Sequence, residues 1–320
     1  MHSSLFFKLF PPPKFMVMKH AGLDISDDAI RCIEYSGYAP NFSISKYAVL
    51  ELPNGVIEGG DIKNELALTE NLAKLDKDLG LTYAKVSVPE EKSYLFQTDV
   101  SSTDPIANAQ NIEFKLEENV PLALSEAVFY FDLLPMSVTG GKLRASVSVV
   151  PKVYIEKIVT LLRTAGISPI AFEVVPKSIA RAVLSQSVTD SVMVVHVMNK
   201  KTGIYVISGG VVCFTSTISW GDKSDSKEVA ITTLLEELAR VNSYWTSHHS
   251  EASKLGQVIL VGKNSSNYES VISEYLAKEN LIVSVGNVWT NAFSLDNYIP
   301  PIVKEQSLEY VVSAGLAMDL

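Results

Sequence analysis

Within ten residues, Gly22-Leu23-Asp24-Ile25-Ser26-Asp27-Asp28-Ala29-Ile30-Arg31 gathers three carboxylates, a hydroxyl and a guanidinium. Leu23 and Ile25 alternate with Asp24, as in a half-buried strand. Ile30, Ile33 and Tyr35 resume the pattern after a polar turn, so the segment reads as a β-hairpin. The backbone N–H groups of such a turn can face an anion, but Asp27 and Asp28 would repel it. On its own, Asp24 reads as a solvated or turn-capping carboxylate.

Other reactive side chains are scattered. Cys32 and Cys213 read as buried small hydrophobes rather than a disulfide or a metal pair. Low cysteine use fits a reducing compartment. His248-His249 read as an exposed helix end, favoured there by the helix dipole. Asp99 and Asp132 read as solvated charges on strand faces, and Trp220 as either a core or a binding-surface aromatic. No Walker A pattern, paired zinc ligands or Ser-His-Asp ordering occurs.

The elements that must position these groups follow in order. Three strands, at residues 21–25, 29–36 and 42–52, precede a turn with Pro53-Asn54-Gly55 and Gly59-Gly60. Leu66, Leu68, Leu72, Leu75 and Leu79 mark a helix that Gly80 ends, and Lys85–Val88 reads as a short strand. Residues 89–173 read as strand, helix, two strands, helix and strand, a compact α+β insert. A helix at about 176–185 leads to three more strands at 191–199, 203–208 and 211–219. The longest helix spans about 227–247, with Leu234, Leu235, Leu238, Val241 and Tyr244 inward. A strand at 258–262, a helix at 268–278, a strand at 281–285 and a last helix at 308–317 close the chain. The order predicts an α/β fold built from a duplicated β-β-β-α-β-α unit. The expected divisions are an apolar arm at 1–19, a first subdomain at 20–88 and 174–190 joined by the helix at 306–320, the insert at 89–173, and a second subdomain at 191–305.

Bulk properties agree with a globular protein of two domains. The chain has 320 residues, 47% of them hydrophobic and 20% charged. A formal net charge of −9 gives no global attraction for nucleic acid or anionic lipid. No apolar run reaches the roughly 20 residues that span a bilayer. The opening Ser4-Leu5-Phe6-Phe7-Lys8-Leu9-Phe10 is stopped by Pro11-Pro12-Pro13 and lacks a small-residue cleavage site, so a signal peptide is not expected. It reads as an arm packed on the body, or as a weak interfacial anchor with Lys8 and Lys14 at the headgroups.

The duplicated order resembles the actin and sugar-kinase superfamily. Several segments resemble the type IV pilus assembly protein PilM family more specifically. Leu52-Pro53-Asn54-Gly55-Val56-Ile57-Glu58-Gly59-Gly60-Asp61-Ile62-Lys63 is similar to its Pro-x-Gly-x-Ile-x-x-Gly-x-Ile segment. Glu113–Pro121 resembles its helix ending before a proline. Val150-Pro151-Lys152, Ala165-Gly166-Ile167-Ser168-Pro169 and Phe172-Glu173-Val174 follow its middle run, and Tyr310-Val311-Val312-Ser313-Ala314-Gly315-Leu316-Ala317 its C-terminal one. Together these span about residues 20–318.

The resemblance implies an actin-like fold with the insert as an extra subdomain. It implies a cytoplasmic protein peripheral to the inner membrane, which holds the N-terminal tail of a PilN-like membrane protein and links the platform to the pilus motor. It also implies ATP with magnesium as cofactor, Asp24 as the magnesium-organising carboxylate, and Ser26, Arg31 and Gly262 at the nucleotide. Here Ser26 replaces a turn glycine and Arg31 a lysine. His196 and Met198 replace the Asp and Gly of the second phosphate loop in Val195-His196-Val197-Met198-Asn199. An imidazole cannot serve as a hard oxygen ligand for magnesium, and His196 reads as a hydrogen-bonded strand histidine. Of the adenosine loop only Gly262 remains, beside Lys263 and Asn264 in a polar turn. These departures predict a degraded nucleotide site in a scaffold, with no catalytic residue and the peptide-contacting residues unassigned. Two alternatives stand beside it: an active ATP-binding member of the same family, and a filament protein resembling the cell-division protein FtsA.

Overall fold

The computed structural model describes residues 18–38, 41–101, 103–135, 143–185, 190–219, 227–249 and 254–318. Trp220 and most of the N-terminal arm lie outside them.

The first sheet grows from the hairpin read in the sequence. β1 (Ala21–Ile25) pairs antiparallel with β2 (Ala29–Ser36), and β2 with β3 (Ser43–Glu51). A short hairpin of β4 (Ile57–Glu58) and β5 (Asp61–Ile62) precedes helix α1 (Glu65–Leu79). Asn64 caps α1, its side chain accepting the Ala67 N–H at 3.0 Å, and Gly80 ends it with φ +61°. The buried face is Leu68, Leu72 and Leu75, whereas Leu66 is 70% exposed because it falls off that stripe. β6 (Tyr83–Val88) returns parallel to β1.

The chain then leaves this sheet. β7 (Tyr94–Asp99), α2 (Pro105–Asn119), β8 (Ala127–Leu133) and β9 (Arg144–Pro151) form a separate three-stranded sheet in the order β7-β9-β8. Ile112 and Leu116 of α2 cover Ala145, Val147 and Val149 on one face. From the other face Ser146 Oγ donates to Val212 O at 2.6 Å and Gln97 Nε2 to Cys213 O at 2.9 Å, tying the insert to the second half.

The insert ends earlier than expected. α3 (Lys152–Thr164) buries Ile158, Leu161 and Leu162 in the same core as α1, and β10 (Ser168–Val174) pairs parallel with β6. The first sheet therefore runs β10-β6-β1-β2-β3. Residues 152–174 are the second helix and last strand of the first repeat, not the end of the insert. Local pattern could not reveal this, because the pairing partner of β10 lies some 85 residues upstream and is chosen by tertiary contact.

The second half repeats the arrangement after α4 (Val175–Val183). β11 (Ser191–Val197), β12 (Lys201–Ser208) and β13 (Val211–Ser219) pair antiparallel. After α5 (Lys227–His248), β14 (Leu255–Val261) pairs parallel with β11. After α6 (Glu269–Leu276), β15 (Ile282–Val285) pairs parallel with β14. The order β13-β12-β11-β14-β15 matches the first sheet strand for strand. On α5 the inner stripe is Leu234, Leu238, Val241 and Trp245. Tyr244, expected inward, is 45% exposed because Trp245 takes the helical spacing.

A short α7 (Lys304–Ser307) and α8 (Val311–Ala317) end the fold. α8 and α4 lie in one core with Ile33 and Tyr35 of the first sheet and Val192 and Val194 of the second. The approach is close: a Cβ on Gly22 would meet Ser313 O at 2.0 Å, and one on Gly315 would meet Ser178 O at 1.9 Å.

A closed pocket between the repeats and an open cleft beside the insert

The turns of the two leading hairpins, Ser26–Asp28 and Met198–Lys200, face each other between the sheets. They and the Gly262-Lys263 turn line a cavity of about 30 Å³. That holds one or two waters. The fold thus brings Asp24, Ser26 and Arg31 of the first half to one pocket with Gly262, His196 and Met198 of the second.

Asp24 is buried rather than solvated. Its Oδ1 accepts the Ser87 hydroxyl at 2.9 Å, and the Arg31 guanidinium lies 3.9 Å from Oδ2. Burial raises its pKa, against the pull of Arg31 and Ser87. Arg31 also donates to Asp28 Oδ2 at 3.1 Å and to Ser26 Oγ at 2.9 Å. Burial pushes the Asp28 carboxyl up, but Arg31 and Ser26 overcome it and hold it below the usual range. Asp27 is occupied separately: its two oxygens accept the Gly59 and Gly60 N–H groups at 2.9 Å each. Neither turn carboxylate is left as a bare repulsive charge.

The two turns are joined directly, since Asn199 Nδ2 donates to Asp28 Oδ2 at 2.6 Å. Nothing in the sequence pattern marked this bond, which crosses 171 positions. His196 is buried, and its Nδ1 has no hydrogen-bond partner. This differs from the hydrogen-bonded histidine expected. Burial holds its pKa down to about 3, with Lys201 and Arg31 adding to the effect, so the ring is neutral. Gly262 sits at φ +94°, and a Cβ there would meet Val197 O at 2.1 Å. Lys263 lies 3.7 Å from Glu309. Deeper in, Lys201 pairs with Glu91, and Tyr205 donates to Glu90 at 2.9 Å. Burial raises the Glu90 pKa, while Glu90 and Glu91 keep Lys201 charged against its own burial. These groups tie the root of the insert to the second sheet and were not singled out from sequence. No group of three or more His, Cys, Asp or Glu suited to a metal occurs among the described residues.

A second concavity, of about 500 Å³, separates the insert from the first sheet. Its walls are apolar at Val128, Tyr130, Val150 and Phe172. It runs between β8 and β10, which are the outer strands of their respective sheets. Outer strands carry unpaired main-chain donors and acceptors. Val128 and Tyr130 are 46% and 56% exposed. Lys177 Nζ lies 3.8 Å over the Tyr130 ring and 2.7 Å from Asp132, so Asp132 is an ion-pair partner rather than a solvated strand charge. Arg181 pairs with Glu173 at 2.5 Å, and Glu173 Oε1 is buried with no hydrogen-bond partner.

Two repeats of three antiparallel strands continued by two parallel ones, closed on a shared pair of helices, define a protein of actin-like fold. The chain belongs to the family of type IV pilus assembly protein PilM, whose model matches residues 22–230. A solved PilM–PilN type IV pilus biogenesis complex superposes with a TM-score of 0.78 at 17% identity, covering 94% of this chain and 98% of that one. The cytoplasmic domain of EpsL, an inner-membrane component of the Vibrio cholerae type II secretion system, gives 0.51 at 9% identity over 95% and 97%. No curated protein matches the sequence. No helix among the described residues is long and apolar enough to cross a membrane.

Proposed function

We propose that this protein is a cytoplasmic scaffold at the inner-membrane platform of a type IV pilus. It holds the extended N-terminal tail of a PilN-like membrane protein in the cleft between the insert and the first sheet, and passes that contact to the pilus motor. The observation that carries the reading is the 500 Å³ apolar cleft flanked by two outer strands. An extended peptide added to an outer strand gains main-chain hydrogen bonds, and alternate side chains enter apolar pockets. The similarity to a solved PilM–PilN complex supports the same partner class. Ordering a disordered tail lowers affinity, so a micromolar constant is expected, about −8 kcal/mol. Fluorescence anisotropy with the N-terminal peptide of a PilN-like protein tests this. No binding to folded protein at high concentration would reject it.

The same reading makes the pocket between the repeats a closed, degraded nucleotide site. Its residues do not fit a magnesium nucleotide. The Arg31 guanidinium already compensates Asp24 and Asp28, the Asn199–Asp28 bond joins the two turns, and about 30 Å³ remains where ligand pockets of roughly 300–1,000 Å³ are usual. Calorimetric titration with Mg-ATP tests this half. A micromolar constant that is lost on Asp24→Ala would restore an ATP-binding protein.

A further inference from the structure

We propose that the chain's own N-terminal arm, residues 1–17, docks in the cleft between β8 and β10 as a tethered competitor of the partner's tail. This rests on the reading of that cleft as a peptide site.

The place where the arm leaves the body comes first. His20 Nε2 lies 3.4 Å from Leu316 O, and Arg181 Nη1 donates to the adjacent Gly315 O at 2.9 Å. Arg181 is itself part of the cleft wall. Gly22 pairs in register with Lys85, another wall residue. The arm therefore starts beside one wall of the cleft. Seventeen residues reach up to about 56 Å when extended, against roughly 24 Å for a seven-residue strand such as β8.

Chemistry is the second argument. The arm presents Leu5, Phe6, Phe7, Leu9 and Phe10, which match the apolar walls at Val128, Tyr130, Val150 and Phe172. Pro11-Pro12-Pro13 favours an extended backbone and lowers the entropy lost on docking. The first acidic residue of the chain is Asp24, and Lys8 and Lys14 are the charged side chains of the arm. On the wall, Lys177 and Arg181 are already paired with Asp132 and Glu173, so the match between arm and cleft is apolar rather than electrostatic. Exposed apolar side chains on the outer face of α2, Ile106 and Phe114, make a rival surface, but nothing ties the arm to that face.

A tethered segment acts at an effective concentration in the millimolar range. Even weak docking then occupies most of the cleft and weakens the partner's apparent affinity in proportion. The arm would set a threshold, so that only a tail presented at high local density displaces it.

The experiment uses the full chain with a photo-cross-linking phenylalanine analogue in place of Phe6. Monomeric cross-links to β8, β10 or α4 are expected. Phe6→Asp/Phe7→Asp in the full chain should tighten the PilN-like peptide about tenfold. Cross-links mapping elsewhere, or cross-linked dimers, would overturn the tethered reading, as would an unchanged affinity in the double variant. If the peptide binds neither form, the partner reading fails, and the cross-link map alone still decides the arm.

Discussion

The pocket between the repeats and the cleft beside the insert meet where β10 runs directly into α4, with Glu173 and Val174 also on the cleft side. Val175 lines the first, and Lys177 and Arg181 line the second. The pocket is dense in charge and filled by its own side chains. The cleft is wide, largely apolar, and edged by strands that, among the described residues, are paired on one side alone. The two sites are held by different physics. In the pocket, a fixed guanidinium holds the position between carboxylates that a cation would otherwise compensate. In the cleft, the apolar walls and outer strands are what the proposed peptide would use.

The contrast breaks most easily at Arg31. It is 8% exposed and compensates Asp24, itself 7% exposed at the side chain. Arg31→Ala leaves an uncompensated buried charge and should cost about 3–5 kcal/mol of stability. Asp24→Asn/Arg31→Met should cost less than the single change, because the more deeply buried carboxylate is then neutral, while Asp28 loses its cation in both variants. Urea denaturation checks both. A loss below about 1 kcal/mol for Arg31→Ala would mean that the cluster is solvated, as surface pairs are.

His196 gives the next effect. Its pKa is about 3 in the folded protein against an ordinary 6.5. The unfolded chain therefore binds a proton that the folded one refuses. Stability contributed by the neutral ring is present above the ordinary value and is lost as pH falls from 6.5 towards 3. By pH 4 the loss is on the order of 3 kcal/mol. His196→Gln should flatten that part of the pH–stability curve relative to the native chain, whatever its effect at neutral pH. Parallel curves for the two would place water beside the ring.

The two regions were also unequally legible. The leading hairpin, the duplicated element order and the convergence of Asp24, Ser26, Arg31 and Gly262 follow from strand alternation and from the resemblance to PilM. The filling of the pocket does not. The Asn199–Asp28 bond and the Lys201–Glu91 pair join residues more than a hundred positions apart, and no local periodicity encodes them. The burial of Asp24 was masked because a strand carboxylate ordinarily faces water. The cleft was hidden for the opposite reason. Val128 and Tyr130 sit in a run that reads like any core strand, and only the sheet order shows β8 to be an outer one. The limit of the insert failed likewise, since β10 pairs with β6 rather than with its neighbours in sequence.

The cleft can be broken without touching the fold. Val128 is about half exposed, so Val128→Asp should leave stability within roughly 0.5 kcal/mol. A carboxylate facing an apolar peptide should weaken tail binding about 100-fold. Anisotropy titration with matched thermal melts separates the two effects. Unchanged affinity would move the peptide away from β8.

The smallest effect is expected at Asn199. Its amide donates to Asp28 across the two turns, at an exposed position. Such a bond contributes about 1 kcal/mol or less, so Asn199→Ala should lower stability by no more than that. The pocket should stay closed to nucleotide, because Arg31 still sits 3.1 Å from Asp28 and still compensates Asp24. Calorimetry with millimolar Mg-ATP should show no saturable heat in this variant. If it does bind, the bond is a removable latch on a working nucleotide site rather than one part of a filled pocket. The difference between the two regions would then be one of conformation, and the active ATP-binding alternative would regain its ground.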